Sequence, residues 1–162
     1  AKTFIYALIY GAGDEKIGRI IGGNKSAGRT LRERFLSSNT AFRNLKTRVD
    51  RAAQKKYLNG LDGRKIILRH QHAALNTLLQ GGGAIAMKKA MCMLQDLINL
   101  NTLDAKFVAN IHDEWQIQVK ESQAECLGRL GVECIEKAGQ HFEMRCPLTG
   151  EYKIGGNWSE TH

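Results

Sequence analysis

Two adjacent acids, Asp113 and Glu114, follow His112 between two runs that read as β-strands. Residues 106–111 are mostly apolar, and residues 115–119 alternate apolar and polar side chains, as a half-buried strand does. The acids therefore belong at a hairpin tip. Tight hairpin turns favour Asn-Gly or Asp-Gly because they need positive φ, and His-Asp-Glu contains no glycine. Carboxylates on a rigid hairpin suit a divalent-metal phosphoryl-transfer site, since hard Mg²⁺ takes oxygen ligands together with a substrate's phosphates. On these residues alone, a solvated acidic turn remains open.

Two further groups have spacing that suits chemistry. Lys2, Tyr6 and Tyr10 recur every four residues with Gly11 immediately after, which gives one helix face a cation and two rings. Such a face can hold a phosphate and stack on a base, although on these residues alone core packing of the tyrosines is the better reading. His72, Asn76 and Gln80 are also four apart, so amide heads on one face can contact base edges or sugars. The alternative is the wet side of an amphipathic helix.

The elements that position these groups follow from periodicity. Residues 1–10 are apolar and run into Gly11-Ala12-Gly13, a helix stop. Asn24 or Ser26 caps a second helix carrying Leu31, Phe35 and Leu36. Residues 40–57 then repeat Leu45, Val49 and Ala52 at helical spacing. The other faces of that helix carry Arg43, Lys46, Arg48, Arg51, Lys55 and Lys56, with Asp50 in opposition, a footprint for a phosphate backbone or a merely solvated face. Residues 65–69 read as a short strand, 72–99 as the longest helix interrupted by Gly81-Gly82-Gly83, 122–137 as a last helix, and 143–148 as a returning strand.

The totals agree with a nucleic-acid partner. The chain has 162 residues, 24 Lys and Arg against 16 Asp and Glu, a formal charge of +8 and a pI near 9.5. Cys92, Cys126, Cys134 and Cys146 form no C-x-x-C pair, which argues against a zinc site or disulfide framework and for reduced thiols in the cytoplasm. No apolar stretch is long enough for a membrane span, and no signal-peptide layout is seen, so a soluble protein that is not exported is expected.

The groups also occur together and in order: Lys2-x-x-x-Tyr6-x-x-x-Tyr10-Gly11, His72-Ala73-Ala74-Leu75-Asn76-x-x-x-Gln80, His112-Asp113-Glu114, then Asn157-Trp158 and a final His162. This series resembles the carboxy-terminal part of family A DNA polymerases, especially the replicative enzymes of short-tailed bacteriophages. The likeness is strong at residues 2–18, 60–80 and 111–114, and looser over 26–59. It implies an α+β fold with fingers helices over residues 1–59 and part of a palm over 60–162, joined without a clear linker. Position by position, Lys2 would bind the incoming nucleotide's phosphates and Tyr6 its sugar and base, tuning deoxy against dideoxy discrimination. Tyr10 and Gly11 would lie at the templating base, Asn76 and Gln80 at the minor-groove edge of the new pair, and His112 at the primer end. His72 stands where many members have arginine. Asp113 would be the metal-binding carboxylate, with Glu114 its less essential catalytic neighbour. The reaction implied is attack of a primer hydroxyl on the α-phosphate of a dNTP, with two Mg²⁺ ions assisting and Mn²⁺ as a substitute.

The series departs from the family in what it lacks. The second metal-binding aspartate, a fingers arginine four residues before Lys2, the thumb and the exonuclease domain are all absent, so the isolated chain is expected to be inactive. The expected partners are primer-template DNA, dNTPs and a second polypeptide supplying the upstream palm strand and thumb, with no membrane. A non-catalytic basic DNA-binding module or an inactive polymerase remnant is the alternative.

Overall fold

The computed structural model describes residues 2–161. The architecture is mixed α and β, with seven α-helices and two small antiparallel sheets among those residues. It divides into two compact units, one up to Gly81 and one from Gly82. The expected 59/60 division concerns the roles that the resemblance implies, which this compactness does not test.

In the first unit α1 (Lys2–Ile9) buries Phe4, Ala7 and Leu8. It ends where Gly11 takes φ +75 and the Ala12 amide donates back to the Ala7 carbonyl at 2.9 Å, a glycine-terminated helix end. Next comes α2 (Asp14–Ile20), opened by Asp14 and Glu15 where the helix dipole favours negative charge. α3 (Lys25–Ser38) is capped by Asn24, whose side chain accepts from the Ala27 amide at 3.0 Å. Two glycines let α2 and α3 touch backbone to backbone. A β-carbon on Gly28 would stand 2.0 Å from the Asp14 carbonyl oxygen, and one on Gly18 2.1 Å from that of Asn24.

α4 (Thr40–Ala53) follows, shorter than the expected 40–57 because Lys56 turns at φ +62 and Tyr57 enters a strand. β1 (Tyr57–Asn59) pairs antiparallel with β2 (Lys65–Ile67), so the expected short strand has a partner that periodicity did not reveal. Phe4, Leu8 and Ile17 form one core, joined edge-to-face through Phe35 at 5.4 Å from Phe4 and 5.7 Å from Phe42. Val49, Ala53, Leu58, Leu68, Ala74 and Leu75 form a second.

α5 spans Ala74–Leu100, and all three consecutive glycines lie inside it. At Gly81 the expected close approach is present, since a β-carbon there would meet Ile66 Cδ1 at 3.0 Å.

In the second unit β3 (Ala105–Ile111) and β4 (Glu114–Val119) make a hairpin whose inner face packs Phe107, Trp115 and Ile117 against Leu94, Ile98 and Leu127. The ladder is irregular between Phe107 and Ala109, where Val108 is an extra residue on β3. α6 (Ala124–His141) supplies Leu127, Cys134 and Ala138 to this core, and truncating a side chain as buried as Leu94 would cost about 2–5 kcal/mol.

Residues 143–148 are not a strand, contrary to expectation. Glu143 turns at φ +51 to end α6, Pro147 has no amide to give a ladder, and the chain then lies along α6 instead. Leu148 fits against Gly139 and the Tyr152 ring against Gly128, so side chains fill glycine gaps where a sheet partner would be needed. α7 (Trp158–Thr161) completes the described residues, and His162, the last of the motif series, lies outside them.

Candidate polymerase site

α1 presents Lys2 and Tyr6 outward because its apolar positions are used by Phe4, Ala7 and Leu8, and Tyr10 follows, exposed, just beyond its end. Tyr6 is 52% exposed and Tyr10 55%, so the rings are surface groups, not core. Lys2 Nζ lies 5.9 Å from the Tyr6 ring centroid, which puts cation and ring on one face. Tyr10 itself is the turn residue after α1.

Gly11 brings that turn against the loop that precedes α5. A β-carbon there would be 2.4 Å from the His72 carbonyl oxygen, so only glycine meets both the conformation and the space. The turn is also held from α3. Arg32 Nη2 donates to the Ala12 carbonyl at 2.5 Å, and its Nε lies 3.0 Å from Asp14 Oδ1, both side chains being 26% exposed. Sequence reading did not single out Arg32; its place within a basic run gave no sign that it reaches twenty residues back.

His72 is not on α5, so the expected three-residue stripe is broken. It sits in a short 3₁₀ turn (Gln71–Ala73), exposed, with its ring stacked on that of His70 at 5.4 Å and 15°. Asn76 and Gln80 are on α5, with Gln80 exposed and Asn76 half-buried. The Asn76 carbonyl oxygen is sequestered without a hydrogen-bond partner among the described residues, an acceptor that costs about 1–3 kcal/mol while it stays so.

The acidic hairpin lies in the second unit. Pairing of Ile111 with Glu114 leaves a two-residue turn, His112-Asp113. His112 takes φ +55, the conformation for which such turns usually choose glycine. Both turn residues are exposed, whereas Glu114 begins β4 and is half-buried. Its Oε1 accepts from Gln116 Nε2, and the Gln116 carbonyl in turn accepts from Thr161 Oγ1 at 3.3 Å. Among the described residues no group of three His, Cys, Asp or Glu side chains could hold a metal. Asp113 and Glu114 offer hard oxygens, yet two carboxylates do not make a two-metal site. The described residues thus do not by themselves fit the Mg²⁺ pair, and no step is drawn through it.

Comparison with known proteins settles the family. The family described as DNA polymerase family A matches residues 1–160. The chain belongs to DNA polymerase family A. It is 43% identical over 169 residues to the DNA-directed DNA polymerase of Escherichia phage Phieco32, covering 100% of this chain and 28% of that protein. Against that of Escherichia phage T7 it is 35% identical over 184 residues, covering 100% of this chain and 26% of the relative. The chain therefore spans about a quarter of the length of the curated relatives it matches.

A solved structure, the POL domain of Pol1 from M. smegmatis in complex with DNA primer-template and dNTP, superposes with a TM-score of 0.77 over 85% of this chain and 26% of that one at 23% identity. That likeness shows the fold of a polymerase-domain fragment. No helix among the described residues is long and apolar enough to cross a membrane.

Proposed function

We propose that this family A chain forms the fingers and partial palm of a DNA-directed DNA polymerase acting in phage DNA replication in the host cytoplasm. It contributes nucleotide-, template- and metal-binding residues to template-directed synthesis. The observation that carries the reading is the apposition of Tyr10-Gly11 to His72, because it joins two separately recognised motif groups at one place in the fold. In this reading Lys2 holds the phosphates of the dNTP and Tyr6 borders its sugar and base. Tyr10 and Gly11 face the templating base, with His72, Asn76 and Gln80 along the primer-template duplex. The Asn76 carbonyl then gains a donor from that duplex, which offsets the penalty of its burial. His112 meets the primer end, and Asp113 with Glu114 would supply part of the hard-oxygen set that a divalent-ion site needs.

The remaining carboxylate and the thumb come from sequence outside this chain, in the same polypeptide or in a second one, so the isolated chain does not extend primers. Grafting the chain in place of the segment it matches in the T7 relative tests this, with primer extension as the readout. Synthesis that Asp113→Ala abolishes supports the reading; a folded chimera that binds primer-template without extending it sinks the reading. That second outcome would favour a non-catalytic DNA-binding module.

A further inference from the structure

α4 turns Phe42, Leu45, Val49, Ala52 and Ala53 inward. Its opposite face exposes Arg43, Arg48 and Arg51, continued by Lys55 in the turn that follows. At 3.6 residues per turn the three arginines fall within about 140° of arc, spaced about 7.5 Å and then about 4.5 Å along the axis. Asp50 is the single acid of the helix, and it lies at the edge of this stripe bound to Lys46 at 2.6 Å. None of Arg43, Arg48, Arg51 or Lys55 is in an ion pair among the described residues.

Folding accounts for part of this charge and not for the rest. Arg51 and Lys55 lie at the carboxy-terminal end, where the helix dipole welcomes cations. Arg43 lies near the opposite end, which has no acidic residue in its first turn and no side-chain cap; the Asn39 amide donates to Phe35 instead. A cation there works against the dipole. No aromatic ring shares the stripe, so it has nothing to stack on bases; Asn44 lies exposed among the arginines, an amide outnumbered by cations that suit phosphates.

We propose that the outer face of α4 is a docking surface for the phosphate backbone of DNA, independent of sequence and separate from the nucleotide-binding face of α1. The inference rests on the polymerase reading only in naming DNA as the polyanion.

The test is fluorescence anisotropy of the full chain with a labelled 20-nucleotide oligo-dT across a salt series. Changing Arg43, Arg48 and Arg51 together to Gln should weaken binding at least about tenfold at low salt. It should also reduce the slope of log affinity against log salt by about 2, at roughly 0.7 for each phosphate no longer neutralised. Unchanged affinity and slope would overturn the proposal. So would loss of binding to a polyglutamate peptide alone, which would point to an acidic protein partner. Should the triple variant fail to fold, Arg43→Glu alone decides: it should raise the melting temperature, because the dipole favours it, while lowering DNA affinity. A rise in both would refute the surface. Salt-sensitive DNA binding that depends on these arginines stands even if the chimera above makes no DNA, whereas synthesis with arginine-independent binding removes this surface and leaves the polymerase reading intact.

Discussion

Gly11 lies so close to His72 that a β-carbon on the first would stand 2.4 Å from the carbonyl oxygen of the second. Sixty-one positions of sequence separate them, yet the approach is between main chains, so no choice of side chain at 72 can relieve it. Gly11→Ala must accept left-handed φ and displace the loop before α5. The expected cost is about 2 kcal/mol or more, read as a lowered urea midpoint with unchanged slope. A wild-type midpoint would mean the turn and the loop are not held together as described.

Arg32 carries the same turn from the other side. Arg32→Ala removes the donor to the Ala12 carbonyl and leaves Asp14 without its cation in a largely covered position. Destabilisation of about 1–3 kcal/mol is expected, and Arg32→Lys should recover only part of it because one ammonium cannot serve both acceptors with a fork's geometry. Full recovery in Arg32→Lys thermal melts would reduce the interaction to simple charge.

His112 holds φ +55 at the hairpin tip, a position glycine fills without strain. His112→Gly is therefore expected to stabilise the second unit by about 0.5–1 kcal/mol while slowing primer extension in the chimera. A hairpin that melts earlier with glycine would show that the imidazole makes interactions worth more than the strain.

Glu125 accepts from the Tyr152 hydroxyl at 2.6 Å and pairs with Arg129 at 3.1 Å, and these hold its carboxyl below the ordinary value. A depressed carboxylate contributes stability that is complete above its unfolded pKa and is lost as pH falls through the folded one. Tyr152→Phe should move the Glu125 titration upward, back toward the ordinary carboxylate range, in a carbon-detected NMR titration. An unmoved titration would leave Arg129 as the sole cause.

Much of this was legible in the sequence, and the parts that were not share a cause. The stop after α1, the Asn24 cap and the two strands around Asp113 are set by residues within a few positions of one another, so spacing alone exposes them. The closeness of Gly11 to His72 and the reach of Arg32 to Ala12 join distant segments, and no local pattern announces them. His72 continued the four-residue spacing of Asn76 and Gln80, but its chain is wound more tightly than an α-helix, so spacing misplaced it. Residues 143–148 have the look of a strand, yet a strand needs a neighbour, and the glycines of α6 offered them a different seat. Toward a metal site the sequence offered only Asp113 and Glu114, and among the described residues no group of three ligating side chains forms.

The extra residue in β3 sets a phase. Phe107 stands opposite Ile117 and Ala109 opposite Gln116, so these β3 residues, two apart, point to opposite faces of the hairpin. Beyond Val108 the alternation is inverted, and Ile111 shares the face of Glu114 where an unbroken ladder would turn it toward the core. The tip thus depends on a count of residues more than on the identity of one. Val108 is 68% exposed and can be exchanged for many side chains; deleting it would leave a regular ladder with Ala109 still opposite Gln116, whereas drawing it into the ladder as a paired residue would turn residues 109–111 through half a revolution.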